Sequence, residues 1–271
     1  MLMTPGTPLW VAFIASIFAL AVTAHYLLRG RSFQTKRVAL TIIGLSTWGL
    51  STLFTFNRIL DPNVYFPFTQ NLPLHFCTLV QILLAPAIWF QRGRLLRPLR
   101  AMLFYPGVAA GFLAMVSPDI QYTGQAFLSM NTLFYAVHAL NVSVPILMAT
   151  LGFYRPTKRD IPLALATFTA MAMVVFVITL GVRAWIDPLA NFYYFFDPAG
   201  SPLLELLYNA IGIPMLYQVP FLALIVPVLF FQYFAYNGVS RVLGLASWRK
   251  RLAQAPLNQG PVIEQAAVVT A

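Results

Sequence analysis

The sequence predicts an all-α integral membrane protein with seven transmembrane helices, its N-terminus outside the cell and its C-terminus in the cytoplasm. The composition is the first observation behind this fold class. Of the 271 residues, 59% are hydrophobic and 9% are charged, and the mean hydropathy is +0.75. Soluble domains carry about a quarter charged residues, so this chain cannot cover itself with a water-facing surface.

Seven apolar runs of roughly bilayer-crossing length are the second observation. They cover residues 9–28, 38–60, 72–90, 101–116, 126–154, 161–185 and 214–236. The fourth run is short and contains Gly107 and Gly111, whereas the fifth is long and contains Pro145. We expect residues 1–240 to form one membrane domain, and residues 241–271 to form a cytoplasmic tail that begins basic and continues disordered.

The distribution of basic residues is the third observation, and it sets the orientation. Fifteen of the 17 Lys and Arg residues fall in alternate connections and in the tail. The positive-inside rule places those segments in the cytoplasm. The net charge of +10 then reflects topology and attraction to anionic lipids, with no nucleic-acid partner expected. All three lysines are assigned to these cytoplasmic segments, which argues against a retinal Schiff base inside a span.

The first run competes with a signal peptide, which has basic residues before a short apolar core. No Lys or Arg precedes Arg29 and the run is longer than such a core. We therefore interpret it as a retained span of a multi-pass membrane protein.

Two arginines depart from the basic pattern, because Arg58 and Arg183 lie at outer helix ends. Each has an acidic residue close by in sequence, Asp61 and Asp187 respectively. Local ion pairs are one interpretation, and binding of an anionic group such as a lipid phosphate is the other. Polar residues at helical spacing lead toward Arg58 on one face of the second run: Thr47, Ser51 and Thr55.

The fifth run carries a second polar stripe. Asn131, Tyr135 and His138 are spaced i, i+4 and i+7, with Asn141 just beside them. Polar side chains at this depth face the bundle interior and often mark a functional path. A histidine hydrogen-bonded in the core and a functional histidine are both compatible with the position of His138.

The start of the third run reads Asn-Leu-Pro-Leu-His-Phe-Cys at residues 71–77 and contains the only cysteine. Pro73 suits the first turn of a helix. In a regular helix His75 and Cys77 point about 200° apart, so they cannot form a dyad, while Cys77 shares a face with Gln81. A partner histidine for Cys77 must then come from another span, and His138 is the deep candidate. Alternatively, a lone buried cysteine is simply a small apolar residue.

The connection between the sixth and seventh runs is long and aromatic. It contains Asn191 and Tyr193 within the sequence Asn-Phe-Tyr-Tyr-Phe-Phe-Asp-Pro of residues 191–198. Aromatic side chains of this kind suit the headgroup zone. We expect a short surface or re-entrant helix at residues 203–210, and a loop of this length resembles a lid over the bundle.

Three of these motifs resemble the YwaF family of seven-span bacterial membrane proteins, which is related to animal transmembrane protein 164. They are the Leu-Pro-Leu-His-Phe-Cys segment, the fifth-run histidine and the Asn-Phe-Tyr segment, within residues 38–236. The resemblance implies a phospholipid acyltransferase in which a membrane cysteine carries the acyl group. Cys77 matches that cysteine, and the resemblance to a bacterial family implies a bacterial inner membrane. Four further residues match family motif positions: His75, His138, Asn191 and Tyr193.

Two hypotheses of function follow. In the first, Cys77 attacks an acyl ester, His138 or His75 is the base, and a lysolipid accepts the acyl chain. The expected substrate-binding residues are Arg58, Arg183, Asn191, Tyr193, Gln81 and Tyr135. In the second, a non-enzymatic bundle binds or moves an amphiphile through the same pocket. Membrane lipids are the expected partners in both, and neither requires a cofactor or a metal.

Overall fold

The computed structural model describes residues 6–60, 72–116, 130–198 and 202–242, and in this part of the chain the helices are joined by turns and loops, without a strand. The side chains of residues 130, 131, 202, 203 and 242 are not described, and this includes that of the predicted stripe residue Asn131. The predicted tail and Asp61 also lie outside the described residues.

Nine α-helices and a π-helical turn make up the described architecture. They are α1 Pro8–Arg29, α2 Phe33–Leu60, α3 Phe76–Trp89, α4 Leu96–Met102, the π-turn Leu103–Gly107, α5 Val108–Val116, α6 Met130–Leu151, α7 Asp160–Trp185, α8 Pro202–Ile211 and α9 Val219–Val242. Six segments of the described chain are long and apolar enough to cross a membrane, counting α4 through α5 as one, and α3 is a shorter apolar helix. The predicted all-α, multi-span class is confirmed.

Each predicted run overlaps a helix, but α2, α3, the α4–α5 segment and α9 each begin four or five residues from the predicted start. The helix expected at residues 203–210 is present as α8. The second helix starts at Phe33, earlier than predicted, so Lys36 lies in its first turn and is buried rather than in an open connection. The predicted run began at residue 38 and missed this first turn, because a charged turn is not apolar enough to be counted as part of a span.

The third helix begins later than predicted. Residues 72–75 form a turn, closed by a hydrogen bond from the Leu74 N–H to the Leu72 carbonyl at 2.7 Å. Pro73 lies in this turn and not in the first turn of a helix, because its ring-fixed φ suits a tight turn equally well. His75 is the N-cap residue with extended backbone (φ −72°, ψ 146°), so the helical angle expected between His75 and Cys77 does not apply.

The helices α2 and α3 approach closely at Gly44. A Cβ atom at this position would lie 3.1 Å from the backbone nitrogen of Ala85. The inward face of α2 continues from this contact through Leu40, Thr47 and Ser51, all buried. The polar stripe predicted on α2 therefore does face the bundle.

Replacing Gly44 by alanine is expected to destabilise the protein, because the added methyl group meets the backbone of α3. The cost of such overpacking is about 1–3 kcal/mol. Gly49 on the same helix has no atom within 4 Å of its Cβ position, and Gly49→Ala is the matched control. Thermal unfolding in detergent should show a lower midpoint for Gly44→Ala and an unchanged or higher one for Gly49→Ala.

One end of the bundle is joined by Arg100 on α4. Its guanidinium donates to the carbonyls of Ala87 at 2.8 Å, Phe90 at 2.7 Å and Phe153 at 2.6 Å. These carbonyls lie at or just beyond the C-terminal ends of α3 and α6. The two helices therefore end together and run parallel.

The opposite end of α3 lies well inside the bundle. The side-chain amide of Asn141, in the middle of α6, donates to the Cys77 carbonyl at 3.3 Å. At the helical rise, α6 extends about 16 Å beyond this contact toward its N-terminus. The antiparallel α2 extends about 12 Å beyond the level of Cys77, measured from the Gly44–Ala85 contact. The short α3 therefore leaves a recess above Cys77, lined by longer helices.

Candidate functional site

The recess above Cys77 is filled by the connection that follows α7. We call residues 187–198 of this connection the returning loop. The Tyr193 ring lies 6.0 Å from Phe168 and 5.9 Å from Phe76, which themselves lie 4.8 Å apart. Because α7 continues about 25 Å beyond Phe168 before it ends at Trp185, the chain must fold back along α7 to make these contacts.

The returning loop has an unusual backbone. Tyr193 and Tyr194 are consecutive residues with positive φ, 57° and 58°. For residues other than glycine this conformation costs roughly 1–2 kcal/mol each. Surrounding contacts must supply that energy, so the loop is held in one shape rather than being a free linker.

Three groups hold the loop. Gln218 donates to the carbonyls of Tyr193 at 2.8 Å and Tyr194 at 3.0 Å, and the Tyr217 hydroxyl also donates to the Tyr194 carbonyl. Within the loop, the Asn191 side chain donates to the Asp197 carbonyl and accepts from the Phe196 N–H. Tyr217 and Gln218, which precede α9, therefore hold the loop in place, while Asn191 joins the two ends of the loop to each other.

Cys77 lies at the bottom of the recess as a half-buried free thiol. The Tyr193 phenol is near enough to interact with it electrostatically. Gln81, one turn further along α3, is 2% exposed, and Asn141 on α6 is 1% exposed. Three buried polar atoms here have no hydrogen-bond partner among the described residues: Gln81 Oε1, Asn141 Oδ1 and the Tyr193 hydroxyl.

His138 lies one turn from Asn141 on α6 and is buried. Its Nδ1 is 2.7 Å from the Phe134 carbonyl, and since a carbonyl can only accept, Nδ1 carries the proton. Nε2 is then the unprotonated, basic nitrogen. Gly111 of α5 packs against this stretch, because a Cβ there would lie 3.1 Å from the His138 carbonyl.

His75 lies at the top of α3 beneath the returning loop. Its ring contacts Phe192 at 5.6 Å and Tyr194 at 5.8 Å. Arg58 of α2 is near enough to act on it electrostatically. Within the described part of the chain, the Cys77 thiol makes no hydrogen bond to any of the three histidines.

The remaining predicted residues lie further from the thiol or hold structure. Arg183 donates to the Ala190 carbonyl at 2.9 Å, and its guanidinium lies 4.2 Å from the Phe196 ring centre, so it fastens the returning loop to α7. Tyr135 packs edge-on against Trp10 of α1. The structure thus brings Cys77, Gln81 and Tyr193 together, with His75 above them.

Sequence reasoning did not assign Asn141, Tyr217 or Gln218 to the site. Asn141 was placed just beside the polar stripe, which was a usable signal. Tyr217 and Gln218 donate to carbonyls of the returning loop, and no local sequence pattern predicts the shape of that loop.

The family comparison agrees with the suspected resemblance. A model of the TMEM164 family matches residues 2–237, which is most of the chain. The chain belongs to the TMEM164 family. The match includes every residue of the recess, and the multi-span membrane character of the chain is consistent with it. Among curated proteins and solved structures, none matches this TMEM164 family member.

Proposed function

We propose that this TMEM164 family protein is a membrane lipid acyltransferase that carries the acyl group as a thioester on Cys77. The observation that carries the proposal is the set of partnerless buried polar atoms around the only thiol of the chain. Buried polar atoms without partners are costly, at about 1–3 kcal/mol each, and a polar ligand group would satisfy them. The resemblance stated above points to the same cysteine.

The proposed reaction has two steps, formation of the thioester and transfer of the acyl group to the acceptor. The Cys77 thiol loses its proton to a base and attacks the ester carbonyl of a donor phospholipid, and the lysolipid leaves with that proton. The hydroxyl of an acceptor lysolipid then loses its proton to the base and attacks the thioester. The ester forms, and the cysteine sulfur leaves and regains the proton.

The base in these steps is best supplied by His138. Its Nδ1–H is tied to the Phe134 carbonyl, which leaves Nε2 to accept a proton. His75 is the second candidate, since it precedes α3 directly and lies under the returning loop. Arg58, which is near His75, is better placed for a lipid phosphate than Arg183, whose guanidinium already holds the returning loop.

The proposed membrane arrangement supports access from the outer leaflet. We propose seven crossings over residues 1–240 with α3 as the shortest, the N-terminus outside, and the tail after residue 241 in the cytoplasm of a bacterial cell. The helix α3 rises only about 21 Å, less than the roughly 30 Å hydrocarbon core. The recess above it would therefore face the outer leaflet, with the returning loop between Cys77 and the leaflet.

The proposal is tested by labelling the purified protein in nanodiscs with a phospholipid that bears an alkyne-tagged acyl chain. Because Cys77 is the only cysteine, a thioester on the protein can form only there. We expect one label per chain, released by neutral hydroxylamine and prevented by prior alkylation of the thiol. A label that resists hydroxylamine, or no label at all, would contradict the acyl-carrier role.

A second candidate function is a non-enzymatic bundle that binds or moves an amphiphile. The absence of a hydrogen bond between the Cys77 thiol and a histidine favours it. Under this function the protein would bind a lysolipid without forming the labelled thioester, so the same experiment separates the two.

A further inference from the structure

We propose that Gln81 and Asn141 form the subsite that selects a hydroxyl-bearing lipid over a fully esterified one. This inference rests on the proposed function, because the hydroxyl belongs to the acyl acceptor of the second step. Neither residue is the nucleophile or the base. Their role is to bind and position the acceptor.

The orientation of the Asn141 amide is fixed by its own contact. Its Nδ2 donates to the Cys77 carbonyl, which can only accept, so the other end of the amide is the oxygen. That Oδ1 is buried and has no partner among the described residues. Asn141 therefore presents a free hydrogen-bond acceptor beside the first turn of α3.

Gln81 meets Asn141 at the same point. In an α-helix the N–H of residue i+4 donates to the carbonyl of residue i. The Gln81 backbone N–H and the Asn141 side-chain amide therefore both donate to the Cys77 carbonyl. Gln81 Oε1 is also buried without a partner in the described chain. Gln81 and Asn141 thus meet from neighbouring helices at the first turn of α3, and each has a buried acceptor oxygen without a partner among the described residues.

A site with two free hydrogen-bond acceptors favours a ligand that carries a hydrogen-bond donor. An ester has no donor and gains no hydrogen bond from these amide oxygens, whereas a hydroxyl donates to one of them. A primary ammonium also donates, but burying it requires a counter-charge, and neither α3 nor α6 contains an Asp or Glu. An uncharged alcohol is the fitting ligand. When the alcohol binds, its hydroxyl donates a hydrogen bond to an amide oxygen. When it reacts, the hydroxyl rotates and gives its proton to the base.

The test separates binding from turnover. Binding of lysophosphatidylcholine to the protein in nanodiscs is compared with binding of the analogue that lacks the glycerol hydroxyl. We expect the wild type to prefer the hydroxyl form by roughly five- to tenfold, as for one hydrogen bond, and Gln81→Met to lose that preference. Ser143→Ala is the control: it removes another partnerless buried hydroxyl from α6 and should leave the preference unchanged.

Two further measurements on Gln81→Met, of kinetics and of thermal stability, complete the experiment. For Gln81→Met the KM for the lysolipid should rise roughly five- to tenfold, with a smaller change in kcat. Its thermal midpoint should not fall, because the change removes a buried carbonyl that has no partner. Equal hydroxyl preference in wild type and variant would overturn the inference, as would loss of thioester formation together with a lower midpoint. A wild type that never acylates but still discriminates the hydroxyl would refute only the acyltransferase function.

Discussion

Replacing Cys77 by alanine is expected to lower acyl transfer by on the order of 10⁴-fold, since removal of a nucleophile leaves only binding and positioning to act. Cys77→Ser is expected to be nearly as inactive, because a hydroxyl is a much weaker nucleophile than a thiolate near neutral pH. The measurement is transfer of a tagged acyl chain from a donor phospholipid to a lysophospholipid, followed in nanodiscs.

The serine variant is also the control for the fold. It keeps the size of the side chain and the carbonyl that accepts from Asn141, so its thermal midpoint should stay near that of the wild type. Lysolipid binding should also persist in both variants. Full transfer activity in Cys77→Ser would eliminate the thioester mechanism, whereas lysolipid binding without any transfer by the wild type would leave the amphiphile-binding bundle.

Replacing Arg100 by methionine is expected to destabilise the protein by about 4 kcal/mol, the largest structural effect of any substitution considered. A hydrogen bond to a charged group contributes about 1.5–3 kcal/mol, and the three carbonyls that Arg100 serves would lose their charged donor. Methionine keeps the length of the side chain without its donors. The measurement is unfolding by heat or by denaturing detergent in mixed micelles, together with protease susceptibility of the α3–α4 connection.

Arg94→Met is the matched control for that experiment. Arg94 lies in the same connection and is exposed, and its substitution changes the net charge by the same amount. If both variants unfold alike, the effect comes from the lost positive charge and not from the carbonyl contacts of Arg100. Arg100→Lys should be intermediate, because an ammonium cannot reproduce the fork of the guanidinium.

The helices were predictable because each is a run of apolar residues bounded by charges, turns or prolines. Their packing was predictable only where a period revealed it, as in the inward stripe of α2 that includes Thr47 and Ser51. The start of α3 was missed because residues 72–75 are as apolar as the helix that follows. Hydropathy cannot distinguish an apolar turn from an apolar helix.

The positions of the residues near Cys77 were partly predictable from the sequence, and their functional roles remain predictions. Gln81 shares a face with Cys77 by simple helical spacing, and this holds in the structure. The contact from Asn141 joins residues 64 apart in the sequence, and no local pattern encodes it. Arg100 illustrates the same limit, since its charge was interpreted only as a topology signal while its main contacts are three backbone carbonyls.

The left-handed backbone of the returning loop has a consequence for how the protein is made. Lipid offers no hydrogen bonds, so non-helical backbone at membrane depth must be satisfied by protein. The carbonyls of Tyr193 and Tyr194 receive their bonds from Tyr217 and Gln218, which precede the last helix. The backbone of the returning loop is therefore satisfied only after Tyr217 and Gln218 have been added to the chain. A chain that stops before Tyr217 lacks these donors, so a segment late in the sequence completes the surroundings of Cys77.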